Sequence, residues 1–171
     1  MLHEMKKNIL ILLLLFSCSG IREENKPNPE PVIRHDVELI MKIALSYEYD
    51  FEKEICTVYF WDKPPMIIPF KLTEEEKEQI NKMYYDLKLY ELPIQSEIQD
   101  ICLTMPKIYT TLNIKRGKEL QEIKIDNSCK EFSMEEQTQA KKVKEFITYA
   151  YQILNSKPEI LNSPKSDMIY K

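Results

Sequence analysis

From Val37 to Phe51 the odd positions read Val, Leu, Met, Ile, Leu, Tyr, Tyr and Phe, with mostly polar or small residues between them. Period-2 alternation over these fifteen residues predicts one long strand with one face in the core and one in water. A sheet built on such a strand has an apolar face that another layer of the chain must cover. The remaining pattern supplies that layer. Asp50 to Glu54 reads as a polar turn and Ile55 to Trp61 as a returning β-branched and aromatic strand, broken by Lys63-Pro64-Pro65. Met66 to Phe70 reads as a third strand, confined to a sheet edge by Pro69. Thr73-Glu74-Glu75-Glu76 forms a capping box, opening a helix to about Leu89 with Ile80, Met83, Tyr84 and Leu87 on one stripe. Residues 93–106 show no regular pattern. Ile108, Thr110, Leu112 and Ile114 share one face of a strand that turns at Arg116-Gly117-Lys118 and returns from Glu119 to Asp126, a hairpin. Ser133-Met134-Glu135-Glu136 is a second capping box, ahead of Ala140, Val143, Ile147, Ala150 and Leu154 at helical spacing. Asn155-Ser156-Lys157-Pro158 ends that helix. The expected architecture for residues 37–171 is a single α+β domain: a two-layer sandwich with an antiparallel sheet of about four to five strands and two helices on one face.

The N-terminus reads differently. Lys6 and Lys7 precede an unbroken apolar run of eight residues, Ile9 to Phe16. Eight helical residues span about 12 Å, well short of a hydrocarbon core of about 30 Å, so a secretory signal fits and a membrane span does not. The run ends in Leu15-Phe16-Ser17-Cys18, which resembles the lipobox of bacterial lipoproteins. The resemblance implies that residues 1–17 are a cleaved signal peptide and that Cys18 is diacylglycerylated as the first residue of the mature chain. It also implies that several acyl chains hold the protein on a membrane, each buried CH₂ contributing about 0.8 kcal/mol. Ser19 after the cysteine is similar to outer-membrane lipoproteins, where an Asp would favour inner-membrane retention. Arg22-Glu23-Glu24 resembles a short export signal to the cell surface. The expected location is the outer membrane, on its periplasmic face or at the surface. Residues 18–36, polar and rich in proline, read as an extended tether.

Composition narrows the chemistry. A formal net charge of −4 becomes −5 once the two lysines and one glutamate of the signal are removed, which argues against a nucleic-acid partner. Two glycines are too few for phosphate-cradling loops. Both histidines lie outside the domain: His3 in the signal and His35 in the tether. The domain therefore has no Ser-His or Cys-His pair and no histidine ligand for zinc. Glu74, Glu75, Glu76 and Glu78 crowd the start of a helix, where negative charge suits the dipole, and Glu135 and Glu136 do the same before the second helix. Asp62, Asp86, Asp100 and Asp126 stand apart, without calcium-loop spacing. No catalytic residue, metal or cofactor is expected.

Beyond Cys18, Cys102 and Cys129 bracket the 107–126 hairpin, and pairing outward from Lys115 and Lys118 brings them nearly opposite. A disulfide there would contribute roughly 3–4 kcal/mol through chain entropy. Cys56, inside a strand pattern, reads as a small buried apolar residue. Tyr47, Tyr49, Tyr59 and Trp61 crowd the first hairpin and are the candidate binding residues, an aromatic face for a sugar or a protein, unless the rings simply pack under a helix. The reading is a non-catalytic binding domain with a protein or glycan partner. The alternatives are a periplasmic inhibitor or immunity-type lipoprotein, or a carboxylate-dependent glycan hydrolase. Mass spectrometry of the native protein is expected to show a diacylglyceryl adduct on Cys18 and, in a non-reducing digest, a peptide joining Cys102 to Cys129. An unmodified Cys18 or a bridge through Cys56 would refute the respective assignment.

Overall fold

The computed structural model describes residues 36–103, 105–128 and 131–168; the signal, Cys18, most of the tether and Cys129 lie outside the described residues. The chain is α+β, with seven strands in one mixed sheet. The strands are β1 (Val37–Ile43), β2 (Tyr47–Asp50), β3 (Ile55–Val58), β4 (Met66–Pro69), β5 (Gln95–Ile98), β6 (Tyr109–Arg116) and β7 (Glu119–Asp126). The helices are α1 (Glu74–Asp86), α2 (Gln137–Asn155) and the single-turn α3 (Pro158–Leu161), with a 3-10 turn at Leu89–Glu91. Sheet order is β4-β3-β2-β1-β6-β7-β5. All neighbours are antiparallel except β5, which runs parallel to β7.

This differs from the expected four to five antiparallel strands in two places. The alternating stretch 37–51 is two strands rather than one, folded over a turn at residues 44–46 where Ala44 takes φ 47°. Ile43 pairs with Tyr47, so odd positions meet odd positions and the alternation passes through the turn without changing phase. Leu45, in the middle of the turn, is exposed, whereas Leu39, Met41, Tyr49 and Phe51 are buried. The second addition is β5. Its sequence, Gln-Ser-Glu-Ile, carries little apolar signal, because an edge strand buries little more than one residue, here Ile98.

Other local features follow their sequence causes. Thr73 caps α1 reciprocally: its hydroxyl accepts from the Glu76 N–H, and the Glu76 carboxylate accepts from the Thr73 N–H. At α2 only half of the arrangement forms; Ser133 Oγ accepts from the Glu136 N–H at 3.2 Å, and a turn over 134–136 leads into the helix. Gly117, at φ 59°, opens a two-residue hairpin turn flanked by the Arg116–Glu119 pair, a conformation that L side chains rarely adopt. β4 occupies one edge of the sheet, where Pro69 breaks no ladder.

The sheet is apolar on one side only. Leu39, Met41, Leu112, Ile114, Ile123 and Ile125 join Ile80 and Tyr84 of α1 and the buried face of α2 in one core. Since β4 and β5 are opposite edges, α1 carries the chain across the whole sheet. On the way Asn81 accepts the Asp36 and Val37 N–H groups at 3.2 and 3.1 Å, fixing the start of β1. Buried Gln121 of β7 ties the crossing down: its Oε1 accepts from Tyr84 Oη at 3.1 Å, and its Nε2 donates to the Leu89 and Leu92 carbonyls at 3.0 Å. Gln121→Leu is expected to cost roughly 2–4 kcal/mol, because it strands three buried polar groups while keeping the volume. Urea unfolding should show a lower midpoint at unchanged slope.

Candidate functional site

The strand registers define two ends. Asp36, the 51–54 turn and the Gly117–Lys118 turn lie at the end where the chain enters β1. The 44–46 turn, the chain after β3, the loop after β5 and the chain after β7 lie at the other, which is called the far end. The far end carries an unusual construction. Residues 99–106 leave β5, and Lys107 leads back into β6. Its ammonium sits 2.8 Å from Asp100 Oδ1, 2.7 Å from Asp126 Oδ2 and 2.7 Å from the Cys102 carbonyl. Both carboxylates are fully buried, while the lysine keeps a fifth of its side chain in solvent. Asp126 Oδ1 also accepts from the Ser128 N–H and Oγ, at 2.9 and 2.5 Å. The hydrogen bond to Asp100, and then Asp126, holds the Lys107 ammonium above its ordinary pKa.

The loop is fastened from its other side as well. Asp100 bridges to Phe132, the Ile101 N–H donates to the Glu131 carbonyl at 2.9 Å, and the Gln99 N–H reaches Glu136 Oε1 at 3.3 Å. Cys102 is disulfide-bonded, and Cys56 is a free buried thiol whose pKa burial pushes up to about 11. What this bracing presents is apolar. Ile101 is 59% exposed, Leu103 97%, Met105 77% and, across the Asp100–Phe132 bridge, Met134 92%. Single exposed apolar side chains need no explanation, but four on adjoining segments of one braced end do. Sequence reasoning passed over this loop. The available signal was alternation at Ile101, Leu103 and Met105 within a stretch bounded by Pro93 and Pro106, too proline-rich to be a core strand.

The four aromatic candidates are not brought together. Tyr47 and Tyr49 stack at 6.0 Å on the core face, and Tyr151 of α2 meets Tyr49 edge-on at 6.4 Å. Burial raises the Tyr49 hydroxyl far above its ordinary pKa and that of Tyr151 to about 12. Tyr59 lies on the opposite, polar side and donates to Glu48 Oε2 at 3.3 Å. Trp61 stands beyond the strand, 82% exposed, its backbone N–H held by Asp167. The reason is phase: Tyr47 pairs with Val58 and Tyr49 with Cys56, so the even positions of β3 share the tyrosine face and Tyr59 points away. The C-terminal segment then closes over Tyr47, whose Oη accepts the Ser166 N–H at 2.9 Å. The expected aromatic face is therefore corrected to a core stack plus one exposed ring.

Elsewhere the geometry offers little chemistry. A cavity of about 150 Å³ between α1 and β1 is lined by Leu39, Phe51, Leu72, Ile80 and Asn81, with Lys77 already paired to Glu54 and Glu74. The buried carboxylates Asp50, Asp100 and Asp126 each face a lysine. Among the described residues no group of three or more His, Cys, Asp or Glu is placed to hold a metal ion, and no helix is long and apolar enough to cross a membrane. Comparison with known proteins finds no matching family model, no matching curated protein and no matching solved structure.

Removing one partner of the brace leaves the others buried and uncompensated. Asp126→Ala is expected to lower stability by roughly 2–4 kcal/mol, and Asp126→Asn, which keeps the shape and the Ser128 contacts, by less. A lysine pKa raised on folding contributes stability that is full below the unfolded lysine value and lost as pH rises through the folded one. Denaturation midpoints measured up to strongly alkaline pH should therefore fall for the native protein, and Asp126→Ala should flatten that alkaline limb.

Proposed function

We propose that the chain is an outer-membrane lipoprotein, anchored through acyl chains on Cys18, whose two-layer α+β domain is a non-catalytic interaction module working through its far end. The observation that carries this reading is the braced apolar group Ile101, Leu103, Met105 and Met134, set at the end of the sheet opposite Asp36. Asp36 is where the tether joins, and it is held there by Tyr85 Oη at 2.9 Å and by Asn81. Residues 18–36 reach at most about 65 Å when extended. The point where the chain enters β1 and the exposed apolar loop thus fall at opposite ends of the sheet. The partner is a protein rather than a glycan, because aliphatic and thioether side chains exclude water without offering the flat rings that sugars stack on.

The disulfide belongs to the same construction. We assign it to Cys102 and Cys129, since Ile101 hydrogen-bonds to Glu131 and the bracketing hairpin supplies the approach. The inhibitor or immunity reading shares this surface and differs only in taking an enzyme as the partner.

The test is crosslinking in intact cells. A photoreactive residue at position 103 is expected to give a discrete adduct with another envelope protein, and the same residue at Lys118, on the other end, to give none. Turnover of a glycan panel by the pure protein, abolished by a single Asp or Glu substitution, would overturn the non-catalytic reading.

A further inference from the structure

Resting on the interaction role just proposed, we infer that the partner surface is a cationic, amphipathic protein segment: apolar on the side that meets Leu103 and Met105, and rich in Lys or Arg around it. Two observations point there. The first is the apolar group itself: the almost fully exposed Leu103 stands between Ile101 and the flexible thioether of Met105 in the chain, and Met134 is exposed on the segment that bridges to the loop. Such side chains repack around an incoming apolar ridge without a preset shape.

The second is charge. The far-end segments 95–107 and 126–136 carry six carboxylates and two lysines, a net of −4. Lys107, Asp100 and Asp126 are spent on one another inside the brace, which leaves four carboxylates and Lys130, a net of −3. Glu97, Glu131 and Glu135 are exposed on these segments and Glu136 is half-buried, against Lys144, which lies over the Phe132 ring at 4.2 Å, and Lys124, which pairs opposite Glu97. A surface of net acidic balance steers an oppositely charged partner and raises the penalty on like-charged ones. That sign decides between the occupants an exposed apolar end invites. A second copy of the chain would bring two such acidic surfaces face to face, and an anionic lipid surface would repel this one before the apolar residues could insert. A basic segment meets both features at once.

The experiment uses the lipidated protein in nanodiscs of neutral phosphatidylcholine, with empty nanodiscs as the baseline. The probes are two amphipathic peptides of about eighteen residues, one patterned Leu/Lys and the other Leu/Glu. Saturable binding of the Leu/Lys peptide above baseline is expected, weakened roughly tenfold or more by Leu103→Ser or Met105→Ser. The same binding should fall sharply in about 1 M salt, where screening cuts the Debye length to about 3 Å. Because Leu103 lies in solvent, Leu103→Ser should leave the thermal midpoint unchanged, so a loss of binding is not a loss of fold.

Equal binding of the Leu/Glu peptide, concentration-dependent self-association abolished by Leu103→Ser, or recruitment to anionic vesicles would each overturn the inference. So would the absence of Leu/Lys binding. In that last case the crosslink from position 103 separates the two claims: an adduct keeps the interaction role and rejects only the cationic partner, whereas no adduct rejects both.

Discussion

The sheet has one apolar face, and most of the chain's course is a response to that. β1, β6 and β7 send Leu39, Met41, Leu112, Ile114, Ile123 and Ile125 to the same side. Each would leave its surface in water if the helices did not return there, at about 25 cal/mol for every Å² left exposed. α1 is therefore drawn across the strands rather than along them, because it must carry the chain from the β4 edge to the β5 edge while staying on the apolar side. That crossing puts main-chain ends and polar side chains under cover, and Asn81 and Gln121 are the response. They are polar residues buried in an otherwise apolar layer, and both spend their hydrogen bonds on backbone groups that the crossing would otherwise strand.

The helices were legible in the sequence because their causes are local. Thr73 and Glu76 cap one another within four residues, and the buried positions of α2 include all five of its predicted stripe: Ala140, Val143, Ile147, Ala150 and Leu154. The sheet was legible in its periodicity but not in its count. Alternation reports which face a residue takes and is blind to a turn that preserves phase, which is how the Ile43–Tyr47 pairing hid a hairpin inside an apparent strand. β5 was hidden for the opposite reason, since its pairing is set by β7 and not by its own side chains. The candidate site was least legible. Tyr47, Tyr49, Tyr59 and Trp61 are neighbours in the chain, but a half-turn of strand phase places Tyr59 across the sheet from the other tyrosines. Conversely, Lys107, Asp100 and Asp126 are separated in sequence by up to twenty-six positions and meet only because β5, β6 and β7 end together.

The far end inverts the usual arrangement of a loop. Between β5 and β6 the carboxylate of Asp100 is inside, with Asp126, and the side chains of Ile101, Leu103 and Met105 are outside. Burying Asp100 and Asp126 is costly, and Lys107 offsets that cost only when it reaches both carboxylates at once, which ties Asp100 and Lys107 to the end of β7. The Cys102 disulfide and the Asp100–Phe132 bridge restrict it further. None of these contacts needs Leu103 or Met105 to point into solvent; the loop's own stability would be served as well by polar residues there. The apolar residues are thus unexplained by folding alone, which is the ground for the proposed contact surface.

A rigid mount also changes what those residues can contribute. A mobile loop would lose roughly 0.5–1.5 kcal/mol for each side chain immobilised on binding, along with backbone freedom, and a surface of three or four aliphatic residues gains too little to absorb that loss. A loop already held by an ion-pair network, a strand bridge and a covalent link has met most of that cost during folding. The same logic connects the two ends of the domain. Asn81 and Tyr85 hold Asp36 and Val37 where the chain enters β1, at the end of the sheet opposite the braced loop.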